Sequence, residues 1–193
     1  MNAALLTDQD LARREEVTRV GLWIFLGTVA MLFGAFTSAY VVRRSGSDWR
    51  AFPLPAILLT NTIVLVLSSA ALETGWRIGR AGWWRIANAA FAVAIALGAT
   101  FLAGQWLAWR ELQSAGFYLP ANPSSSFFYL MTGAHALHVI AALAVLAYGA
   151  VLTWRGDGRR RWRAWASSIA LCRTFWHFLL GVWIYLIAFV SLF

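Results

Sequence analysis

The sequence predicts an all-α fold, a polytopic membrane bundle of five transmembrane helices, and three observations carry that prediction. Of 193 residues, 61% are hydrophobic and only 12% are charged, whereas a soluble domain carries about a quarter charged residues. The mean hydropathy is +0.65. Five apolar runs are each long enough to cross a hydrocarbon core of about 30 Å as a helix. With so few charges, most of the surface has to face something apolar, and lipid meets that requirement.

The first run covers Val20–Val42 and is bounded by Arg19 and Arg43. The second covers Leu54–Leu72 and closes at Glu73. The third covers Ile86–Trp109. The fourth covers Phe127–Thr153, after a stretch with Gly116, Pro120, Asn122, Pro123 and Ser124–Ser126. That stretch is turn and helix-start chemistry, and the three serines are expected to cap the fourth helix. The fifth covers Ser168–Phe193. The connections Arg43–Pro53, Thr74–Arg85, Arg110–Ser126 and Trp154–Ser167 are short and polar, so residues 1–193 are read as a single transmembrane domain. Small residues recur at helical spacing: Gly27, Gly34 and Ser38 in the first run, Ser68–Ala71 in the second, and Ala90, Ala94 and Gly98 in the third. Such stripes let helices approach closely, and packing within the chain is the use expected of them.

All sixteen basic residues are arginine, and the net charge is +8. They cluster between the apolar runs, which is the pattern of loops flanking spans and not of a nucleic-acid surface. The N-terminal segment, the second connection and the fourth together hold eleven arginines, against four on the opposite side. The positive-inside rule then expects a cytoplasmic N-terminus and an external C-terminus. Trp49, Trp76, Trp83, Trp84, Trp106, Trp109, Trp154, Trp162 and Trp165 lie at or near run ends, where an amphipathic ring suits the headgroup level. Asp8, Asp10, Glu15 and Glu16 precede the first run, unlike the basic start of a cleaved signal peptide, so Met1 is expected to be the mature start.

Polar residues inside spans are where function is sought. His135 and His138 are three residues apart, so they share a helix face. They are candidates for metal or haem ligation. The shortage of further ligands makes hydrogen bonding to neighbouring helices the preferred reading, since His177 and Cys172 are the only other histidine and cysteine. Cys172 is expected to be a small buried apolar residue. Arg173 and His177 lie one turn apart in the fifth run. An arginine there needs a lipid phosphate, a carboxylate or a carbonyl, or else snorkels to the interface. Gln105 is expected to hydrogen-bond between helices. Glu73 reads as a proton-relay carboxylate or, preferably, as an interfacial partner of Arg77 one turn on.

Four stretches together resemble subunit III of the haem-copper oxidases, the family of cytochrome c and quinol oxidases. Gly21-Leu-Trp-Ile-Phe-Leu, which holds Trp23, with Met31-Leu-Phe is similar to the family's Gly-x-Trp-x-Phe helix. Leu58-Leu-Thr-Asn-Thr with Leu67-Ser-Ser is similar to its Asn-Thr…Ser-Ser helix. Phe127-Phe-Tyr-Leu-Met-Thr-Gly-Ala-His-Ala-Leu-His-Val139, holding Thr132, Gly133, His135 and His138, resembles Phe-Phe-x-x-Thr-Gly-x-His-Gly-x-His-Val. Trp176-His177-Phe178 with Val182-Trp183 is similar to the closing Trp-His-Phe…Trp. Their order spans nearly the whole chain and matches the family's five-helix short form.

The resemblance implies a redox-inactive subunit without a catalytic centre of its own. Haem and copper would lie in partner subunits, with electrons passing from cytochrome c or quinol to dioxygen elsewhere in the complex. It implies subunit I as the main partner and subunit II as a second, within the bacterial inner membrane; a respiratory supercomplex is compatible with it. The implied roles are stabilising the catalytic subunit, holding phospholipid and flanking a proton-uptake path. Arg155 stands before Trp176-His177-Phe178 at the distance of a lipid-contacting arginine in long-form members, which implies a phospholipid headgroup contact. Trp23, Gln105, Thr132, Gly133, His135, His138, Trp176 and His177 are implied to be structural or interface positions. Two departures weaken direct proton carriage: Val29 stands where the family places a membrane glutamate, and Gln105 is followed by Ala108 and Trp109 where members often have Glu-Tyr. The rival readings are an accessory subunit of a nitric oxide reductase, and a stand-alone transporter or haem protein.

Overall fold

The computed structural model describes residues 2–50, 53–119, 122–154 and 158–192, with side chains described from Arg13 onward apart from 14–15 and 153–164. The helices are α1 (Asn2–Arg44), α2 (Ile57–Arg80), α3 (Trp84–Ser114), α4 (Pro123–Trp154) and α5 (Gly158–Leu192). Each contains a stretch long and apolar enough to cross a membrane. Most extend beyond the apolar runs that predict them. Hydropathy reports where side chains tolerate hydrocarbon, whereas a helix continues as long as its own backbone bonds do, and Arg, Glu and Gln are good helix formers. Thus α1 carries on through the polar N-terminal segment. The start of α2 moves the other way, from Leu54 to Ile57, because prolines at 53 and 55 push the residues before them out of helical geometry.

The connections shrink accordingly. A three-residue turn joins α2 to α3, with Gly82 at φ +95°. There the Gly82 amide donates to the Gly79 carbonyl and the Trp83 amide to Ile78. That pattern closes a helix with a left-handed residue, which glycine adopts without steric cost. At the end of α3, Gly116 at φ +86° repeats it. The cap of α4 differs from the expectation. Asn122 Oδ1 accepts the Ser124 amide at 2.8 Å and Pro123 is the first helical residue, so the cap is Asn122 and not the serines. The serine hydroxyls tie loops to the helix instead: Ser124 donates to the Arg50 carbonyl, Ser125 to Tyr118 and Ser126 to Leu119.

The α2–α3 hairpin is the most intimate pair; α4 packs on α3 and α5, and α5 also meets α2, α3 and α1. Among the described residues, α1 touches only α4 and α5. The main core is built from Leu65, Leu72, Phe91, Phe101, Phe128, Trp176 and Trp183. A smaller cluster of Val29, Phe33, Tyr40, Met131 and Leu186 holds α1. Glycines bring the hairpin together: Gly75 lies against Phe91 and Gly104 against Asn61, while Gly98 receives Trp176 and Leu143. The α3 stripe therefore serves packing as expected. The α1 stripe does not, because nothing lies within 4 Å of a Cβ built at Gly27 or Gly34 and both face outward with Ser38.

Candidate functional site

The densest group of polar side chains inside the spans is a seam between α2 and α5. Helical spacing sets Ser69, Glu73, Trp76 and Arg77 along one side of α2, and Arg173 and His177 along one side of α5. Glu73 is the hub. Its Oε1 accepts Arg77 Nε at 2.8 Å, and its Oε2 accepts Arg173 Nη1 at 3.1 Å. His177 Nε2 lies 3.4 Å from Oε2, while His177 Nδ1 lies 2.5 Å from Ser69 Oγ. One assignment of protons satisfies both contacts: Nε2–H donates to the carboxylate and Nδ1 accepts from the serine hydroxyl. The Arg173 guanidinium also sits 5.3 Å from the centre of the Trp76 ring, an attractive arrangement for a cation near an aromatic face.

Of the two readings of Arg173, the structure selects a carboxylate acceptor. The Glu73–Arg77 pair forms as its spacing predicts, but Arg77 is 76% exposed, so that pair contributes at most about 1 kcal/mol. The Glu73–Arg173 pair is more enclosed, at 26% and 30% exposure. A serine, a histidine and a carboxylate are joined here. Ser69 is buried and Glu73 is held by two guanidinium groups. The trio is therefore a lock between helices and offers no accessible nucleophile.

The other candidate residues do not converge on the seam. His135 is fully enclosed by the rings of Phe33, Phe101 and Trp183. His138 is half-buried and donates Nδ1–H to the Ala134 carbonyl at 2.7 Å. Among the described residues, no group of three or more histidine, cysteine or acidic side chains could hold a metal ion. Thr132 accepts Trp109 Nε1–H at 3.0 Å and donates to the Phe128 carbonyl. Gly133 has open space at its Cα. Trp176 packs against Gly98, and its indole N–H has no protein partner. Gln105 departs from expectation: it is buried, but it makes no hydrogen bond to a neighbouring helix. Trp23 is 63% exposed on the outer side of α1. Val29 is buried in the cluster that holds α1. Cys172 is buried as expected. Arg155 lies outside the described residues.

Elsewhere the polar groups also join helices. Ser68 Oγ donates to the Ala94 carbonyl at 2.7 Å, linking α2 to α3. Trp183 Nε1–H donates to Thr62 Oγ1 at 3.0 Å, linking α5 to α2, and Tyr185 donates to Thr37 at 3.0 Å, linking α5 to α1. In hydrocarbon such bonds each contribute on average about 0.6 kcal/mol. The arrangement is that of a scaffold whose polar groups fasten its own helices.

The chain is similar to known proteins of one family. The model of the family "Cytochrome c oxidase subunit III" matches residues 11–193. A cytochrome c oxidase subunit 3 from Thermostichus vulcanus is 30% identical over 176 residues, covering 86% of this chain and 83% of that protein. A probable cytochrome c oxidase subunit 3 from Nocardia farcinica is 28% identical over 187 residues, covering 91% and 87%. A heme-copper oxidase subunit I+III from Aeropyrum pernix is 29% identical over 176 residues, covering 86% of this chain and 21% of that protein.

Proposed function

The chain belongs to the cytochrome c oxidase subunit III family, and from that premise we propose that it stabilises the catalytic subunit of its oxidase, holds phospholipid and supports proton uptake without carrying redox chemistry. It is a multi-pass membrane protein and a subunit of a haem-copper oxidase complex. The alternatives, a nitric oxide reductase accessory subunit and a stand-alone transporter or haem protein, have no support in the comparisons.

The observation that carries the scaffold role is the use of the polar groups within the spans. Glu73 holds Arg173 and His177 across α2 and α5, Thr62 accepts from Trp183 between the same helices, and Ser68 donates to the Ala94 carbonyl of α3. Haem and copper then belong to partner subunits, with cytochrome c or quinol as electron donor. Subunit I is the main partner in this reading, supported by the relative named subunit I+III; subunit II is the second. The chain acts as one transmembrane unit in the bacterial inner membrane, N-terminus cytoplasmic and C-terminus external, a reading supported by the arginine asymmetry. The lipid role of Arg155 rests on the resemblance of its position before Trp176. Apolar Val29 and Ala108 stand at the two departures, which favours support of proton uptake over direct carriage.

The test is extraction of a tagged chain in mild detergent. Oxidase subunit I, with its haem spectrum, is expected to co-purify, and an oxidase lacking this chain is expected to lose activity sooner during turnover. Purification of the intact chain free of any oxidase subunit would contradict the proposal.

A further inference from the structure

Two polar side chains in the middle of the bundle have no protein hydrogen-bond partner. Gln105 of α3 is 1% exposed and His135 of α4 is 0% exposed. Both polar atoms of the Gln105 carboxamide and both ring nitrogens of His135 are unpartnered. Register makes the two residues neighbours. On one side of them, Trp109 of α3 donates to Thr132 of α4. On the other, the Phe101 ring of α3 lies 5.8 Å from the His135 ring. Gln105 falls four residues from each of Phe101 and Trp109, so it shares their face of α3. His135 follows Thr132 by three residues on α4 and shares that face too.

The surroundings restrict what can satisfy these groups. The rings around His135 offer no free acceptor, and the Trp183 N–H is already given to Thr62. The Thr132 hydroxyl already donates to Phe128 and accepts from Trp109. The ring contacts of His135 are with Phe33, Phe101 and Trp183, so an ion would sit without compensation among aromatic groups in a low-dielectric interior. The occupant has to be small, neutral, and able both to donate and to accept. Buried polar groups are rarely left unpaired, and water is what pairs them when the protein does not.

We propose that Gln105 and His135 together hold ordered water inside the helix bundle, closed off from lipid by Phe33, Phe101 and Trp183. A neutral imidazole has one donor and one acceptor nitrogen, and a carboxamide has both functions, so a bridging water can satisfy either tautomer. The water leaves both ring nitrogens paired and holds the ring at its 5.1 Å approach to Trp183. Trp176 Nε1 is also unpartnered, but it lies two turns before Trp183 on α5, against Gly98, and belongs to a different layer.

The test is a density map of the intact oxidase complex fine enough to resolve ordered water. A water peak within hydrogen-bond distance of both the Gln105 carboxamide and the His135 ring is expected. In Gln105→Leu that peak is expected to vanish while the complex stays assembled. A direct Gln105–His135 hydrogen bond without a peak, two separated side chains with nothing between them, or a peak too large for water would each overturn the proposal. If Gln105→Leu fails to assemble, the wild-type complex decides: with histidine labelled in nitrogen, transfer of magnetisation from water to the His135 ring is expected, and its absence overturns the site.

Discussion

Glu73 of α2 and Arg173 of α5 are a hundred positions apart in sequence, yet carboxylate and guanidinium meet at 3.1 Å. Arg173 also lies over Trp76, and His177 reaches the same carboxylate oxygen. The pair joins the C-terminal half of α2 to the N-terminal half of α5.

Glu73→Ala leaves Arg173 partly enclosed without its acceptor. A hydrogen bond to a charged group contributes about 1.5–3 kcal/mol, so the loss is expected in that range or somewhat below it, given the partial exposure. Arg77→Ala, on an exposed partner, is expected to cost less than about 1 kcal/mol. Thermal inactivation of the solubilised complex measures both. In a double-mutant cycle, Glu73→Ala with Arg173→Ala should cost less than the two single changes added together; strict additivity would mean that the pair contributes nothing.

Gly98→Ala places a Cβ 2.8 Å from both Leu143 and the Trp176 ring, and Trp176 is fully buried. Overpacking of this kind costs about 1–3 kcal/mol. Gly27→Ala meets no atom of the chain. Accumulation of folded protein in the membrane should fall for Gly98→Ala and hold for Gly27→Ala. Loss of complex in Gly27→Ala with the chain itself intact would place a partner helix on that side of α1.

Thr62→Val removes the acceptor of the fully buried Trp183 indole N–H while nearly preserving volume. Bonds of this type in membrane proteins average about 0.6 kcal/mol and reach about 1.7. A small fall in melting temperature is expected, with the haem spectrum of the complex unchanged.

Topology is tested by reporters. A fusion after Phe193 should report an external location and one inserted among Arg159–Arg163 a cytoplasmic one. Cytoplasmic activity at Phe193 would contradict the proposed orientation.

Metal analysis of the isolated chain should find no stoichiometric iron or copper, because His138 is bonded to the Ala134 carbonyl, His177 to Ser69, and no third ligand joins a histidine pair among the described residues. A Soret band lost on His135→Ala would overturn the reading of this subunit as redox-inactive.

What is legible in the sequence is what is local. Five spans are legible because each apolar run states its own solubility in lipid. The Glu73–Arg77 pair is legible because four residues on a helix always adjoin. The polar extension of α1 was not, since nothing apolar marks it, and the cap at Asn122 was masked by three adjacent serines that use their hydroxyls on loop carbonyls.

The amino-acid order alone determined the membrane class, the number and sequence of helices, and the motifs that mark the family. Only the tertiary structure decided that Glu73 reaches Arg173, that Phe101 meets His135, and that the small-residue stripe of α3 faces inward while that of α1 faces out. The reason is physical. Lipid tails are as apolar as leucine, so hydrophobicity drives each helix into the membrane without choosing its neighbours. Facing and register are then chosen by close steric fit and by the few polar pairs that only one arrangement of helices can satisfy.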